Sequence, residues 1–400
     1  MNSASGTAAR RILTLTVIIA LAGIYPLALP ADAAIPGSFC QDPTAITGMG
    51  STTQIDLHRQ IFVPTYEEVC QPAIGLVDYQ GPGSAHGINA ALTHDNGYTF
   101  YTSDLALTSI EKVLVEMDVV AARGRTLSII HHFPIALNGF TLGYNLSGCD
   151  SSQPLHLNSE VVSLIYMGHI TKWNDPLIVL LNPHLLTCSL SIEPSVRAET
   201  AASNLYFKDF MSQRNPAWNA YKTHDTNTSW PPTLVISCRG IGDVGMATCL
   251  MNPGSIGYLP YQVAHTYGVQ SALLRNRSGA FVGPASDPST LSWPDNCPAA
   301  AASSNLPSNT KADWGTTTLS DPANGYAFCA FTYVFAFQAA NYASGPFVNG
   351  QMRNTVDYLT TAVGNLAQPK TKDLGYAPLP TTVRTMVKQG IDGMTEFFST

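Results

Sequence analysis

Short apolar runs alternate with longer stretches of helical periodicity along most of the chain. Apolar runs rich in β-branched or aromatic residues predict strands over residues 73–79, 127–130, 139–144 and 331–337. Apolar residues at helical spacing predict helices over residues 109–120 and 158–167, the second capped by Asn158 or Ser159. Residues 284–324 are rich in proline, serine, alanine and aspartate without periodicity, which predicts a long surface loop. This alternation of strands and helices indicates an α/β fold.

The amino-terminal residues have the pattern of an export signal. Arg10 and Arg11 precede an apolar run over residues 12–22, and the sequence ADA at 31–33 has the small residues of a cleavage site. We therefore expect a signal peptide over residues 1–33 and a mature chain that is extracytoplasmic, in the periplasm or at the cell surface. An uncleaved membrane anchor is the alternative, although polar residues and a proline interrupt the run before the roughly 20 apolar residues that a spanning helix needs.

Composition narrows the class of protein. The chain has 400 residues, which predicts two or three domains. Apolar residues make up 45 % and charged residues only 12 %, a balance that excludes intrinsic disorder. The formal net charge of −7 excludes a nucleic-acid binder that acts through bulk positive charge.

The cysteines favour disulfides over a metal site. There are eight of them, an even number in a chain predicted to be exported. They form no CxxC pair and have no zinc-like spacing with histidine, so we expect no metal. The sequence does not fix the connectivity. Our hypothesis is that each cysteine pairs with its nearest neighbour along the chain, and Cys238 with Cys249 closes a short loop.

Three segments combine glycine or arginine with hydroxyl residues where a helix is expected to begin. They are GMGSTT at 48–53, GPGSAHG at 81–87 and RAETAAS at 197–203. Such a turn presents backbone N–H groups and hydroxyls at a helix N-terminus, where an anion is stabilised. Arg197 adds a guanidinium that can donate two parallel hydrogen bonds to an oxyanion. Each segment alone is explained by an ordinary helix cap, but the three together predict an oxyanion site.

With these segments, the chain resembles the extracytoplasmic phosphate-binding proteins of bacterial high-affinity phosphate ABC importers. Matching segments occur in the family's order over residues 48–380. The most specific is YMGHITKWNDPLIVLLNP at 166–183, which follows the family's G-x-I-T-x-W-N-D-P signature. The other matches are GMGSTT, YQGPGSAHGI, TSDLAL, VRAETAAS, NPGSIGYLPYQVA and GYAPLP.

This resemblance implies a two-lobe, hinged type II periplasmic-binding-protein fold, each lobe a mixed sheet flanked by helices. It places the first part of lobe 1 at residues 34–133, lobe 2 at 134–325 and the second part of lobe 1 at 326–400. It implies inorganic phosphate as ligand and the membrane permease of an ABC importer as partner, with no catalytic residue, cofactor or nucleic acid. We also expect a monomer. The implied phosphate-binding residues are Thr52, Thr53, Ser84, Asp104, Arg197, Ala201, Ala202 and Ser203.

Asp104 is the residue expected to select phosphate over sulfate. A carboxylate beside an anion is repulsive unless the anion carries a proton to donate. Phosphate carries a proton at neutral pH and sulfate does not, so sulfate would leave a buried acceptor unpaired. An unpaired buried polar group costs about 1–3 kcal/mol, and more when it is charged.

The third segment departs from the family's R-x-D-G-S-G-T pattern. Ala201 replaces a serine and lacks its hydroxyl donor, Ala202 replaces a glycine and adds a methyl group, and Glu199 is one methylene longer than the usual aspartate. Ser203 keeps the hydroxyl of the usual threonine, and His86 in the second loop could add a donor. A lost donor to a charged group is worth about 1.5–3 kcal/mol, or roughly one to two decades in affinity. These changes predict weakened phosphate binding or a changed oxyanion preference.

Two other functions remain open at this point. One is a phosphatase that uses His131 and His132 or Asp104, although the two histidines have no partner motif for metal ligation nearby. The other is a degenerate oxyanion sensor or surface protein that does not transport, which the changes at Ala201 and Ala202 suggest.

Overall fold

The computed structural model describes residues 39–40, 44–70, 77–93, 95, 97–123, 129–220, 226–338 and 349–395. The predicted signal peptide over residues 1–33 lies outside the described residues. None of the helices in these ranges has the length and apolar character needed to span a bilayer.

Strands and helices alternate as predicted, which confirms the α/β class. The strands are β1 (Ile46–Met49), β2 (Val77–Gln80), β3 (Phe100–Ser103), β4 (Ile130–Tyr144), β5 (His156–Leu157), β6 (Glu193–Arg197), β7 (Cys238–Gly240), β8 (Ser255–Pro260), β9 (Gln270–Ser271), β10 (Leu273–Arg275), β11 (Phe281–Val282) and β12 (Cys329–Phe337).

A π-helical turn (Leu57–Phe62) leads into the first α-helix, and 3-10 turns cover Pro183–Leu185 and Gln368–Leu374. The α-helices are α1 (Val63–Cys70), α2 (Ser84–Leu92), α3 (Ser109–Arg123), α4 (Ser159–Tyr166), α5 (Pro176–Leu181), α6 (Ala202–Ser212), α7 (Pro216–Ala220), α8 (Gly242–Cys249), α9 (Tyr261–Thr266), α10 (Cys297–Ser303), α11 (Asn349–Ala362) and α12 (Thr381–Thr395).

One large mixed sheet organises the described residues. Its strand order is β2-β1-β3-β12-β4-β8-β6-β7, with β9 paired to β4 off this path. Strands β2, β1 and β3 run parallel to one another, as do β8, β6 and β7. Antiparallel pairings of β12 with β3 and β4, and of β4 with β8, join these two groups. A separate three-stranded sheet contains β11, β10 and β5.

The long strand β4 belongs to both halves of the large sheet. Residues 130–139 pair with β12, and residues 140–144 pair with β8. Pro134 lies inside this central strand and has no N–H to donate, and the register shifts beside it, between Thr332 and Tyr333. The sequence predicted strands over 127–130 and 139–144 and missed the residues between them, where histidines and a proline interrupt the apolar pattern. Residues 127–128 of the first of these predictions lie outside the described residues.

His131 and His132 lie in the first part of β4 and are fully buried. The His131 Nδ1 atom is 2.8 Å from the Thr310 hydroxyl. The His132 ring packs edge-on against Phe335, and neither of its nitrogens has a hydrogen-bond partner among the described residues. Burial lowers the pKa of each histidine to about 3. The pair is therefore enclosed in the sheet core and presents no accessible base or metal ligand.

The predicted helices are present, but one of them presents its apolar face to solvent. Helix α4 begins as predicted, because the Asn158 side chain accepts a hydrogen bond of 2.8 Å from the Val161 N–H. Helix α3 also forms, and it buries Val115. Four of the five apolar residues whose spacing predicted α3 are each more than half exposed; they are Ile110, Val113, Leu114 and Met117.

The predicted surface loop over 284–324 is wrong in part. It contains α10, and Trp314 is fully buried with its indole N–H donating to the Asn309 carbonyl over 3.1 Å. The sequence did not predict that this segment packs against the core, because a single large aromatic residue, rather than a repeating apolar pattern, makes the buried contact.

Nearest-neighbour pairing of the cysteines is confirmed. The structure contains the disulfides Cys40–Cys70, Cys149–Cys188, Cys238–Cys249 and Cys297–Cys329, with Cα–Cα separations between 5.0 and 5.8 Å. Cys297–Cys329 ties α10 to the start of β12, and Cys238–Cys249 ties β7 to the end of α8.

The buried His132 predicts a loss of stability in acid. Its folded-state pKa of about 3 lies below the ordinary value of 6.5, so between these pH values the unfolded chain binds the proton more readily. The free energy of unfolding should therefore fall as pH falls through this window, by up to about 1.4 kcal/mol per pH unit for this group. His132→Phe should reduce that slope by a similar amount in urea unfolding at pH 7, 6 and 5.

His169→Phe, a change at an exposed position, is the matched control and should leave the slope unchanged. An unaltered slope in His132→Phe would show that this imidazole is not held neutral in the fold.

Candidate functional site

The first two glycine segments are joined through their backbones. The Gly50 N–H donates to the Gln80 carbonyl over 2.9 Å, and the Gly83 N–H donates to the Gly50 carbonyl over 2.7 Å. Gly50 has a φ of +145°, and a Cβ atom there would lie 2.0 Å from the Thr102 carbonyl oxygen. Only glycine allows this close approach. Both segments therefore end at one edge of the sheet, beside the residues that follow β3.

The Asp104 carboxylate accepts hydrogen bonds from several polar side chains at this edge of the sheet. Its Oδ2 atom accepts hydrogen bonds of 2.7 Å from the hydroxyls of both Ser51 and Thr53, and one of 3.4 Å from Ser84. Its Oδ1 atom accepts from the Gln54 amide over 3.2 Å. The Asp104 N–H also donates to the Ser84 hydroxyl over 3.1 Å. Three predicted ligand residues, Thr53, Ser84 and Asp104, are thus brought together.

Thr52 lies apart from this network. Its hydroxyl donates to the Gly81 carbonyl over 3.1 Å, and the side chain is exposed. A Cβ atom built on Gly83 would lie 3.9 Å from the Thr52 hydroxyl and 3.6 Å from the His86 Nδ1 atom. Thr52 and the exposed His86 are therefore on either side of Gly83 at the rim of the cluster.

Arg197 ends β6 and is held between two carboxylates. Its Nη2 atom forms an ion pair with Glu199, and its Nη1 atom forms one with Asp243. The Gly242 N–H also donates to the Glu199 Oε1 atom, over 2.9 Å. Only 11 % of the Arg197 side chain is exposed. Because Asp243 lies in the first turn of α8, the helix dipole favours its negative charge.

Several polar atoms in this second cluster are buried without a partner. Among the described residues, neither the Arg197 Nε atom, the Glu199 Oε2 atom nor the Ser203 hydroxyl has a hydrogen-bond partner. An unpaired buried polar group costs about 1–3 kcal/mol, so such atoms are rare without a reason. These atoms lie around the end of β6 and the start of α6, where a polar ligand would supply their missing hydrogen bonds.

Helix α6 begins next to Arg197 and lacks a side-chain cap. Ala201 is the N-cap residue, and its N–H donates to the Thr226 carbonyl over 3.0 Å. Ala202 and Ser203 lie in the first turn, where N–H groups have no acceptor within the helix. The Asn204 amide donates to the carbonyls of Glu199 and Thr226, which holds the loop in place of a cap.

Helix α6 also links the two clusters. The Tyr206 hydroxyl, one turn into the helix, donates to the Asp104 backbone carbonyl. The Tyr376 hydroxyl donates to the Thr53 carbonyl over 2.9 Å. Burial raises the pKa of Asp243, Arg197 opposes this shift, and the charges of Glu199 and Asp104 add to it. The Asp104 and Arg197 clusters therefore form one electrostatic site.

Sequence reasoning missed four contributors to this site. Ser51 lies within the predicted segment at 48–53 and Gln54 directly follows it, so the hydroxyl and amide in that stretch were an available signal. Tyr206 lies beyond the motif that starts α6, and Asp243 belongs to an element without a site motif, so only the tertiary structure brings them to Asp104 and Arg197. Among the described residues, no group of three or more histidine, cysteine, aspartate or glutamate side chains could hold a metal ion.

Sequence comparisons give known relatives. A family model described as "PBP superfamily domain" matches residues 38–363. The phosphate-binding protein PstS of Xylella fastidiosa (strain Temecula1 / ATCC 700964) is 26 % identical over 308 residues, which is 76 % of this chain and 74 % of the relative. The phosphate-binding protein PstS3 of Mycobacterium bovis (strain BCG / Pasteur 1173P2) is 25 % identical over 241 residues, 60 % of each chain.

Solved structures share the fold. A high-affinity periplasmic phosphate-binding protein (PfluDING) bound with phosphate matches with a TM-score of 0.60 at 19 % identity, covering 86 % of this chain and 93 % of that one. The phosphate-binding protein from Stenotrophomonas maltophilia matches with a TM-score of 0.58 at 18 % identity and the same coverage. The predicted two-lobe, type II periplasmic-binding-protein fold is confirmed. With most of its length matched by the family model, the chain belongs to the PBP superfamily.

Proposed function

We propose that this protein binds inorganic phosphate outside the cytoplasmic membrane and delivers it to the permease of an ABC importer. The observation that carries the proposal is that a hydroxyl-lined carboxylate, Asp104, is joined through Tyr206 to the helix that begins beside the Arg197 guanidinium. The phosphate-binding proteins similar in sequence and fold support the same ligand.

Each part of the site has a role in this proposal. Arg197 and the first-turn N–H groups of Ala202 and Ser203 donate hydrogen bonds to phosphate oxygens, with the positive end of the α6 dipole behind them. The hydroxyls of Thr53 and Ser84 turn from Asp104 to the ligand. Asp104 in turn accepts the proton that phosphate carries.

Thr52 contributes its hydroxyl from the rim. Ala201 contributes least, because its N–H is already bonded to Thr226 and its side chain has no donor. That position is the basis for a second candidate function, a degenerate sensor or a binder of a different oxyanion.

The lobe boundaries follow from the same reasoning. We place the first part of lobe 1 at 34–133, lobe 2 at 134–325 and the second part of lobe 1 at 326–400. The support for a boundary within β4 is the change of partner along this strand from β12 to β8, which comes between Gly139 and Phe140, together with the return of the chain through β12. The hinge would then include Pro134. We further propose an exported monomer that needs no cofactor or metal and catalyses no reaction.

Asp104 should decide between phosphate and sulfate. Calorimetric titration of the folded protein, freed of bound anion by unfolding and refolding with its disulfides intact, should show phosphate binding and no response to sulfate at neutral pH. Asp104→Asn should weaken phosphate binding by about tenfold to a hundredfold, because a proton acceptor is lost, and should admit sulfate, because the amide can donate.

The control for this change is Asp78→Asn, which removes an exposed carboxylate on β2 and should bind like the parent protein. Equal binding of sulfate and phosphate by the parent protein would contradict the role of Asp104.

Ala201→Ser should tighten phosphate binding. The new hydroxyl restores a donor to a charged ligand, worth about 1.5–3 kcal/mol, or roughly tenfold to a hundredfold in the dissociation constant. Calorimetric titration measures the affinity, and melting in phosphate-free buffer separates it from the gain in helix capping.

Ala302→Ser, at an exposed position of α10, is the control and should change neither quantity. If Ala201→Ser raised the melting temperature alone, Ala201 would not face the ligand.

A further inference from the structure

Asp243 reaches the site from an element that carries no oxyanion motif. It lies in the first turn of α8, directly after β7 and Gly242. Helix α8 approaches β7 closely, since a Cβ atom at Gly240 would lie 2.5 Å from the Met246 backbone nitrogen. Because β7 pairs with β6, this close contact also brings the start of α8 to the end of β6, where Asp243 forms its ion pair with Arg197.

The charges in the site are unbalanced. Asp104, Glu199 and Asp243 contribute three carboxylates; Arg197 forms ion pairs with Glu199 and Asp243, whereas the donors to Asp104 are neutral hydroxyls and an amide. The phenol of Tyr376 also lies within the field of Asp104 and Asp243, and burial raises its pKa, so it stays neutral and does not change the balance of charge. The other cations nearby are Arg59, Arg239 and Lys208. The charges of Arg59 and Arg239 act on Tyr79 and Tyr258, and Lys208 donates to the Asn227 carbonyl. When all three carboxylates are ionised, the cluster has an excess of negative charge.

This excess bears on the protonation state of the ligand. Inorganic phosphate changes from a singly charged, dihydrogen form to a doubly charged, monohydrogen form near neutral pH. Repulsion between like charges is strong where water is partly excluded, so the second charge is penalised in this site. The dihydrogen form also offers two protons, and each can be donated to a carboxylate oxygen that would otherwise face an anion.

We propose that Asp243 makes the site selective for the singly charged, dihydrogen form of phosphate. It acts through the charge of the cluster and through its hold on Arg197, and is therefore a positioning and specificity-determining residue. Asp104 distinguishes a protonated from an unprotonated oxyanion, whereas Asp243 distinguishes two protonation states of the same oxyanion. This inference rests on the proposed function.

The test is the pH dependence of phosphate binding. The dissociation constant for total phosphate is measured by calorimetry from pH 5.5 to pH 8.5 for the parent protein and for Asp243→Asn, whose amide oxygen still accepts a hydrogen bond from Arg197. The affinity of the parent protein should fall by about tenfold per pH unit above neutrality, as the dihydrogen form disappears. In Asp243→Asn it should fall less than about twofold per pH unit, and at pH 8.5 the variant should bind at least about tenfold more tightly than the parent.

Proton uptake provides a readout that does not depend on the variant. Titrations at pH 8 in two buffers with different ionisation enthalpies should show that the parent protein takes up about one proton per phosphate bound. Phosphate binding by the parent without proton uptake would overturn the inference even if Asp243→Asn failed to fold.

Glu193→Gln is the matched control. It neutralises a carboxylate on the same strand as Arg197 but at the opposite end, so its pH profile should match that of the parent. Identical profiles for the parent and Asp243→Asn would overturn the role of Asp243 and leave phosphate binding intact. A folded parent protein that bound no phosphate at any pH would instead overturn the proposed function and this inference with it.

Discussion

The Asp104 carboxylate is the group around which the first half of the site is arranged. A partly buried carboxylate must be surrounded by donors, and here they come from Ser51, Thr53 and Ser84, which lie 20 to 53 residues before it. Such distant segments can converge only if their turns approach closely, which explains the absence of a side chain at Gly50. The backbone carbonyl of Asp104 accepts a hydrogen bond from the Tyr206 hydroxyl, so the position of α6 also depends on Asp104. Two of these donors, Thr53 and Ser84, are groups that we propose for binding the anion.

Strand β4 provides the frame for this convergence. It pairs with β12 along its first part and with β8 along its second, so it joins the group of strands that carries Asp104 to the group that carries Arg197. Strand β3 of one group and strand β6 of the other both end at the site. Asp104 follows β3, Arg197 is the last residue of β6, and Asp243 follows β7. A proline and a register shift in the middle of β4 leave a weak point in the hydrogen-bond ladder between the two groups. A hinge at this place would move the two clusters relative to each other without disturbing either one.

The second cluster is held in place by hydrogen bonds and ion pairs although its sequence motif is changed. The segment RAETAAS lacks the usual donor at Ala201, yet Asn204 holds its loop from inside the helix. Glu199 still pairs with Arg197, and its longer side chain also accepts from the Gly242 N–H. Asp243 adds a second carboxylate to the same guanidinium. The loop and the guanidinium are therefore held in place although Ala201 supplies no side-chain donor.

The sequence alone determined the local features of this protein. Glycine turns, hydroxyls before helices, apolar strands and the order of cysteines are encoded over a few residues, so the α/β class, the three helix starts and nearest-neighbour disulfides were predictable. It also singled out Asp104 and Arg197, since their segments match a family pattern. Only the tertiary structure decided which distant groups meet them. No local sequence pattern marks Tyr206 or Asp243 as site residues, because the register of the strands and the packing of α6 and α8 bring them there. The exposed apolar face of α3 is likewise a result of tertiary packing. Periodicity states which face of a helix is apolar, but which face is covered depends on what the rest of the chain places against it.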